Sequence, residues 1–363
     1  MRRGLVVVLV AGLVVSAGYA VGFGASDEYE SENADLDGEL EVHHVDVGQG
    51  DATLIVTPHG ETILIDSGDW RDDGRDVIDY LESQGIDRVD HLIATHGHAD
   101  HIGGHAAVIE HFEEHGDGVG AVYDTGVVHT SQTYEEYLDA VEGYDVTLFE
   151  VGDGYDLSLE NDAVEASVVH PPADTADRTD DLDYSSLVLA IEFGEFTYLT
   201  TGDAGGDAEQ RLVEQRSHEI DADAYQVGHH GSSSSSTEPF LDAVDPQVAI
   251  VSSAADSQYG HPHDEVLESL ADRNVRTYWT GVHGDVVLET DGRTVSMTTE
   301  RDASTDPLDL LEAKHAPRTD HRGNDSSTTE SDSNDLPTAD QPTIDRSTTV
   351  PTEPRRGTVL TAP

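Results

Sequence analysis

The sequence predicts an α/β fold, and three observations carry that reading. Short apolar runs that suit strands, such as residues 62–65 and 248–252, alternate with stretches whose apolar residues recur at helical spacing. Gly-rich turns separate many of them. Side chains that bind metals sit just past the apolar runs, where α/β proteins place their sites: His96-Gly97-His98-Ala99-Asp100-His101 directly follows residues 89–94.

Taken in order, strands are expected at residues 39–47, 52–56 and 62–65, and a helix at about 74–84 precedes the strand at 89–94. After the His/Asp run, Ile102, Ala106, Ile109 and Phe112 recur at helical spacing, and residues 119–123 form another strand. Thr133-x-x-Glu136 is a capping box. It opens a helix with Tyr134, Tyr137, Leu138 and Val141 on one face, a stripe that reads as core rather than substrate contact. Residues 166–169 lead into His170, and Pro171-Pro172 stop the strand there. Residues 187–193 and 196–201 form a hairpin around Gly194-Glu195, with a helix near 207–217. Strands at 224–227, 248–252, 276–279, 285–289 and 294–298, with a helix at about 264–272, complete the second half.

The run at 96–101 packs four metal-ligand side chains into six positions, which no packing rule requires. Imidazole and carboxylate are the donors that zinc, manganese and iron accept. His96 and His98, two apart on extended backbone, can point the same way. Asp100 and His101 can address a second ion beside the first. Gly103 and Gly104 let the following helix start close to the metals. The plain alternative, a His-rich surface turn in a chain with 20 His, leaves Asp100 and the strand–loop–helix context to coincidence. Further ligands must come from downstream. His170, Asp203 and His229 each lie just past an apolar run. Singly each reads as a turn or surface residue; together with the run at 96–101 they read as ligands.

These residues resemble the metallo-β-lactamase superfamily. The His-x-His-x-Asp-His motif, a later His, an Asp and a last His follow its ligand order. Closer still, the chain resembles the extracellular hydrolase domain of ComEC-type competence proteins and their free-standing secreted relatives. The matching stretches are His44-Val-Asp-Val-Gly-Gln-Gly-Asp-Ala52, Ile63-Leu-Ile-Asp-Ser-Gly68, Thr95-His-Gly-His-Ala-Asp-His-Ile-Gly-Gly104, His170-Pro171, Ser186-Leu-Val-Leu189, Thr201-Gly-Asp203, Val227-Gly-His-His-Gly-Ser232 and Tyr259-Gly-His-Pro262. They span roughly residues 40–297. The resemblance implies a four-layer αββα sandwich at 39–300. It implies that His96, His98 and His170 hold one metal ion and that Asp100, His101 and His229 hold a second, with Asp203 bridging. Asp66 would support the metal loop. His229 and His230 compete for the last position; His229, nearer the strand end, is preferred, which leaves His230 to face substrate. ComEC-type proteins carry a many-helix channel, whereas this chain has one apolar stretch, so a channel role is not expected.

The net charge of −57, from 75 acidic and 18 basic residues of which only Lys314 is lysine, would destabilise a compact fold in dilute buffer. At molar salt the Debye length shrinks to about 3 Å and the repulsion fades. The carboxylates are spread along the whole chain, so the expectation is a halophilic protein. There is no Cys, which excludes disulfides and thiolate ligands. Residues 1–24 carry Arg2-Arg3 and then an uncharged apolar stretch: a signal peptide cut after Ala20, or a membrane anchor. Either way the remainder is extracellular or at the cell surface. Residues 25–38 form an acidic linker. Residues 301–363, rich in Ser, Thr, Asp and Pro, read as a disordered tail, although 308–313 could add one short helix.

The expected reaction is hydrolysis assisted by two divalent ions, zinc by default with manganese or iron open, which generate hydroxide at neutral pH. Asp100 would orient the attacking water. Ser232 and Ser233, with the serines that follow, could hold phosphate oxygens, and His261 could protonate the leaving group or bind phosphate. By family likeness the substrate is a small phosphodiester or a nucleic acid. There is no basic stripe, so any nucleic-acid grip would be weak and poorly sequence-selective. The alternatives are a lactonase, thioesterase or β-lactamase acting on carboxylic substrates, and a non-catalytic surface protein that metals merely stabilise. The sequence carries no mark of oligomeric state.

Overall fold

The computed structural model describes residues 36–174 and 181–316. The apolar stretch at 1–24, most of the acidic linker and the chain from 317 lie outside the described residues. Among the described residues no helix is long and apolar enough to cross a membrane.

Two sheets stack face to face. The first contains β1 (Leu40–His44), β2 (Thr53–Val56), β3 (Thr62–Ile65), β4 (Val89–Ile93), β5 (Val119–Asp124), β6 (Leu148–Glu150), β14 (Val286–Thr290) and β15 (Val295–Thr299), in the order β15-β14-β1-β2-β3-β4-β5-β6. The second contains β7 (Tyr155–Asp156), β8 (Val164–His170), β9 (Val188–Phe193), β10 (Phe196–Thr200), β11 (Ala224–Gln226), β12 (Val248–Val251) and β13 (Arg276–Trp279), in the order β13-β12-β11-β10-β9-β8-β7. Each sheet is antiparallel at one side and parallel at the other, along β3–β6 and β10–β13. Helices supply the parallel crossovers: α1 (Arg75–Ser83), α2 (His105–His115) and α3 (Gln132–Tyr144) in the first half, α4 (Gly206–Gln215), α5 (Glu238–Val244) and α6 (Asp264–Asp272) in the second.

The period-2 rule explains the layers. On β3, Ile63 and Ile65 face the opposite sheet while Leu64 meets the helices. On β9, Leu189, Ile191 and Phe193 face inward, and Val188 and Ala190 meet helices. Val77, Leu81, Val108, Ile109, Phe112, Tyr134, Tyr137 and Val141 cover the first sheet, so the tyrosine stripe of α3 is core. Leu212, Phe240, Leu241, Leu267 and Leu270 cover the second. The result is the expected αββα sandwich.

Several boundaries differ from expectation. Strand β1 ends at His44, because the chain turns there and the Val45 N–H donates to the Ala52 carbonyl. Helix α3 starts one residue before Thr133: Ser131 is its cap and accepts from the Tyr134 N–H. Strands β6 and β7 are too short to show a period, and α5 sits behind the serine run. The fold also extends past residue 300. Helix α8 (Pro307–His315) lies within the sequence expected to be tail and is the short helix allowed for at 308–313, while a single turn α7 (Thr280–His283) precedes β14. Leu310 is fully buried against the outer helices, and the Lys314 ammonium donates to the Pro262 carbonyl and the Asp264 carboxylate.

His44 shares the inward face of β1 with Leu40 and Val42, edge-on to Tyr198. Burial lowers its pKa to about 3, against the pull of Asp51. It is therefore neutral when folded, whereas the unfolded chain binds a proton below about pH 6.5. Stability supplied by neutral His44 is complete above pH 6.5 and is lost as pH falls toward 3. Chelated protein unfolded by denaturant between pH 6 and 4 should lose less stability per pH unit as His44→Gln than as wild type, by up to about 1.4 kcal/mol. Identical slopes would refute this account.

Candidate metal centre

The site lies where the parallel strands of both sheets end. β4 delivers Thr95 and the run at 96–101; β10 delivers Thr201-Gly202-Asp203; β11 delivers the single turn Gly228–Gly231. The Leu187 N–H donates to the Thr95 carbonyl at 2.8 Å and joins the two halves beside it.

Two four-residue groups could each hold a metal ion, their donor atoms all within 4.8 Å of one another: His96, His98, Asp183 and Asp203, and Asp51, His101, Asp203 and His230. Asp203 belongs to both. Its Oδ1 lies 3.1 Å from His101 Nε2 and 3.7 Å from His230 Nε2. Its Oδ2 lies 3.7 Å from His96 Nε2 and 3.5 Å from His229 Nε2. Asp100 Oδ2 is 3.3 Å from His230 Nε2, and Asp183 Oδ1 is 3.4 Å from His98 Nδ1.

Backbone geometry sets these directions. Gly202 has φ 49°, and a Cβ there would stand 2.4 Å from Ser186 Oγ, the group that accepts from the Asp203 N–H. A Cβ on Gly103 would meet the Trp70 nitrogen at 2.1 Å, so α2 can approach the loop only without one. His229 and His230 both adopt left-handed backbone, an uncommon state for His that the turn imposes.

Neighbours orient the imidazoles. Asp66, itself at φ 59°, accepts from His101 Nδ1 at 2.7 Å, from Thr95 Oγ1 at 2.7 Å and from the Thr95 N–H at 2.9 Å. His101 Nε2 is thereby turned toward Asp203 with its lone pair available. His230 Nδ1 donates to the Ser252 carbonyl at 3.1 Å, leaving its Nε2 in the same position.

The donor set suits divalent cations. Asp51 Oδ1, His101 Nε2, Asp183 Oδ1, Asp203 Oδ1 and His230 Nε2 are buried and have no hydrogen bond of proper geometry, and all five belong to the two groups. Burial works against charge on His101 and His230, yet Asp203, aided by Asp66 and Asp51 respectively, holds both pKa values well above the ordinary value. Burial likewise opposes ionisation of Asp203, but His101 and His230 hold it well below the carboxylate range. Burial and the charge on His101 push His96 down, and burial raises Asp183. A divalent cation would replace the protons that these carboxylates draw onto the imidazoles.

Two expected positions are corrected by this geometry. His170 is buried, but its Nε2 donates to the Tyr184 carbonyl and its Nδ1 faces Arg211 Nη1 at 3.3 Å. It braces the segment that carries Asp183, and Asp183 stands where His170 was expected. At the last position His230 points into the second group. His229 stays at the rim, a quarter exposed, its Nδ1 bonded to Ser234 Oγ. Asp51 and Asp183 were missed. Asp51 follows the Gly48-Gln49-Gly50 turn, a signal that could have found it; Asp183 is one acid among many.

A cleft of about 390 Å³ opens onto this floor, walled by His98, Asp100, His129, His229, His230 and His261, with Gln49 and Tyr259 at its sides. Neither Ser232 nor Ser233 lines it. Ser232 Oγ accepts from Ser234, and Ser233 bonds to His263. His261 is buried, and burial together with the charge on His230 lowers its pKa to about 4.

Residues 45–255 match the family described as the metallo-beta-lactamase superfamily. The chain is similar to ComE operon protein 3 of Bacillus subtilis (strain 168), 32% identical over 268 residues that cover 69% of this chain and 33% of that protein. It is also similar to competence protein ComA of Neisseria gonorrhoeae, 26% identical over 240 residues, with 66% and 30% covered. It thus spans about a third of the length of these relatives. Among solved structures it resembles CmlA, a diiron beta-hydroxylase from Streptomyces venezuelae (16% identity, TM-score 0.46, 70% of this chain and 54% of that one). It also resembles a diphosphatase from the PhnP family (17% identity, TM-score 0.42, 69% and 98%).

Asp66 touches His101 without reaching either donor group. Asp66→Asn places an amide N–H against at least one of the donors it now accepts from. Metal affinity, measured by competition with a chromogenic chelator, should fall roughly 10–100-fold, whereas an unchanged affinity would remove Asp66 from the site.

Proposed function

Since this chain belongs to the metallo-β-lactamase superfamily, we propose that it is an exported, metal-dependent hydrolase of phosphodiesters. One observation carries the reading: two donor groups that share Asp203 form the floor of a single cleft. His96, His98 and Asp183 would hold one divalent ion and Asp51, His101 and His230 the other, with Asp203 between them. Zinc is the default for such donors, with manganese and iron open. When bound, such ions supply Lewis acidity and make water acidic enough to ionise near neutral pH.

The chain's own groups do the rest. Asp100, partly exposed to the cleft, is held well below the ordinary carboxylate pKa: burial opposes this, but His230, its Nε2 3.3 Å away, and the charge on His101 outweigh it. It therefore stays ionised and can accept a hydrogen bond from attacking water. His261 is neutral in the free site, with its Nδ1 buried and unpaired. An anionic substrate against it favours the protonated ring, which can then give a proton to the leaving oxygen. His129 and His229 line the same cleft and can donate to phosphoryl oxygens.

A second reading has its own support. Among the described residues lining the cleft there is no Lys or Arg. A lactone, thioester or β-lactam needs no counter-charge, whereas a phosphodiester must rely on imidazoles and metal. Protein purified in molar salt and tested on bis-p-nitrophenyl phosphate, nitrocefin and a lactone separates the two. Phosphodiester turnover should dominate and drop to background in Asp203→Asn. Lactone or nitrocefin turnover without phosphodiester turnover would favour the second reading.

Export and a high-salt habitat belong to the same proposal. They rest on the apolar stretch at 1–24 and on the net charge of −57. N-terminal sequencing of protein from culture medium and membranes should find either a start at Val21 or an intact anchor outside the cell. Protein confined to the cytosol would overturn export.

A further inference from the structure

Four large apolar side chains are exposed among the described residues: Trp70 (55%), Val128 (74%), Tyr259 (59%) and Leu308 (53%). One of them lines the cleft, and two more are tied to its wall through the backbone. Tyr259 is part of its wall, Val128 precedes the wall residue His129, and the Trp70 N–H donates to the carbonyl of the wall residue Ala99. On a surface otherwise crowded with carboxylates, a large aromatic ring left exposed on the wall of the cleft points to a ligand.

The rings inside the cleft are ordered as well. Tyr259 stacks on His261 with centroids 5.6 Å apart and planes 29° apart. His261 stacks in turn on His230 at 6.1 Å and 25°. A near-parallel ladder thus leads from a donor of the metal centre to an exposed phenol ring at the mouth. The outermost rung leaves much of its surface in solvent.

We propose that Tyr259 is a stacking platform for an unpaired base next to the scissile phosphodiester, so that the preferred substrate is single-stranded nucleic acid. The proposal rests on the phosphodiesterase reading and adds the substrate class. Charge cannot supply the grip, since the cleft wall holds no Lys or Arg and the one arginine beside Trp70, Arg71, is paired with Asp69 at 2.6 Å. Stacking needs no counter-charge, accepts any base and persists in salt that screens phosphate contacts. A duplex hides its base faces in its own stack, which leaves an exposed ring at the cleft mouth to unpaired bases.

The test compares a single-stranded oligo-dA with an abasic deoxyribose-phosphate oligomer of equal length, which has the same backbone charge and no rings. Hydrolysis is followed in molar salt with metal-loaded full-length protein. Binding is followed by fluorescence anisotropy of end-labelled strands on the same proteins held metal-free by chelator. Wild type should show a KM about tenfold lower for oligo-dA than for the abasic strand. Tyr259→Ala should erase that preference and Tyr259→Phe should keep it. Because Tyr259 is exposed, neither change disturbs the core. Equal KM values in wild type, or a preference that survives in Tyr259→Ala, would overturn the platform while leaving phosphodiester hydrolysis intact. If neither strand is cut, the phosphodiesterase reading fails and anisotropy decides the platform alone. Tighter binding of oligo-dA that Tyr259→Ala abolishes supports it, and equal binding of both strands sinks it.

Discussion

The structure depends on one buried carboxylate. Asp203 is almost wholly withdrawn from solvent, a costly state for an ion unless opposite charge or strong donors surround it. Its two oxygens look in two directions, one toward His101 and His230 and the other toward His96 and His229. Those imidazoles come from both sheets: His96 and His101 from the loop after β4, His229 and His230 from the turn after β11. The carboxylate therefore ties the sandwich together at the strand ends, where the inter-sheet core formed by Ile65, Ile93, Leu187 and Leu189 gives way to polar side chains. Cα-only backbone at Gly202 and Gly103, and the acceptor at Ser186, follow from the need to bring these segments that close.

That arrangement is unbalanced without cations. Asp51, Asp66, Asp100, Asp183 and Asp203 gather around five imidazoles that are neutral in their ordinary state near pH 7. The excess of negative charge is what draws protons onto His101 and His230 against the cost of burial. Divalent ions would answer the same need with greater charge and would use the lone pairs that Asp66 and the Ser252 carbonyl direct inward. Fold stability and metal binding then depend on the same side chains.

The sequence made much of this legible, for identifiable reasons. The ligand run at 96–101 is contiguous, so no tertiary knowledge is needed to see it. Asp203 lies past a clear strand, and the strand-end rule finds it. The same rule misjudged His170, because it locates a residue without saying where its side chain turns. In the folded chain that ring is taken by the Tyr184 carbonyl and faces Arg211. Asp183 gave no signal of its own, since 75 acidic residues make any single Asp unremarked. The choice between His229 and His230 turned on two successive left-handed residues, where neither strand alternation nor helix periodicity assigns a direction. Helix α8 was nearly hidden by its polar setting; Leu310 is its one fully buried leucine. The four layers were legible as a family resemblance. The apolar pattern alone gave most of the strands and helices; the facing of the strand residues came from the structure.

A net charge of −57 and an anionic substrate are compatible only if recognition is short-ranged. In dilute buffer the surface would repel a phosphodiester before it reached the cleft. In molar salt the screening length of about 3 Å is shorter than the spacing between the rings that line the cleft mouth. Under those conditions the carboxylate coat no longer reaches the substrate, and neither would a basic patch placed to attract it. Affinity must then come from groups in contact: imidazole donors, metal ions and ring faces. Imidazoles and a ring face line this cleft above the two donor groups, so its lack of Lys and Arg is what a site working in concentrated salt would be expected to have.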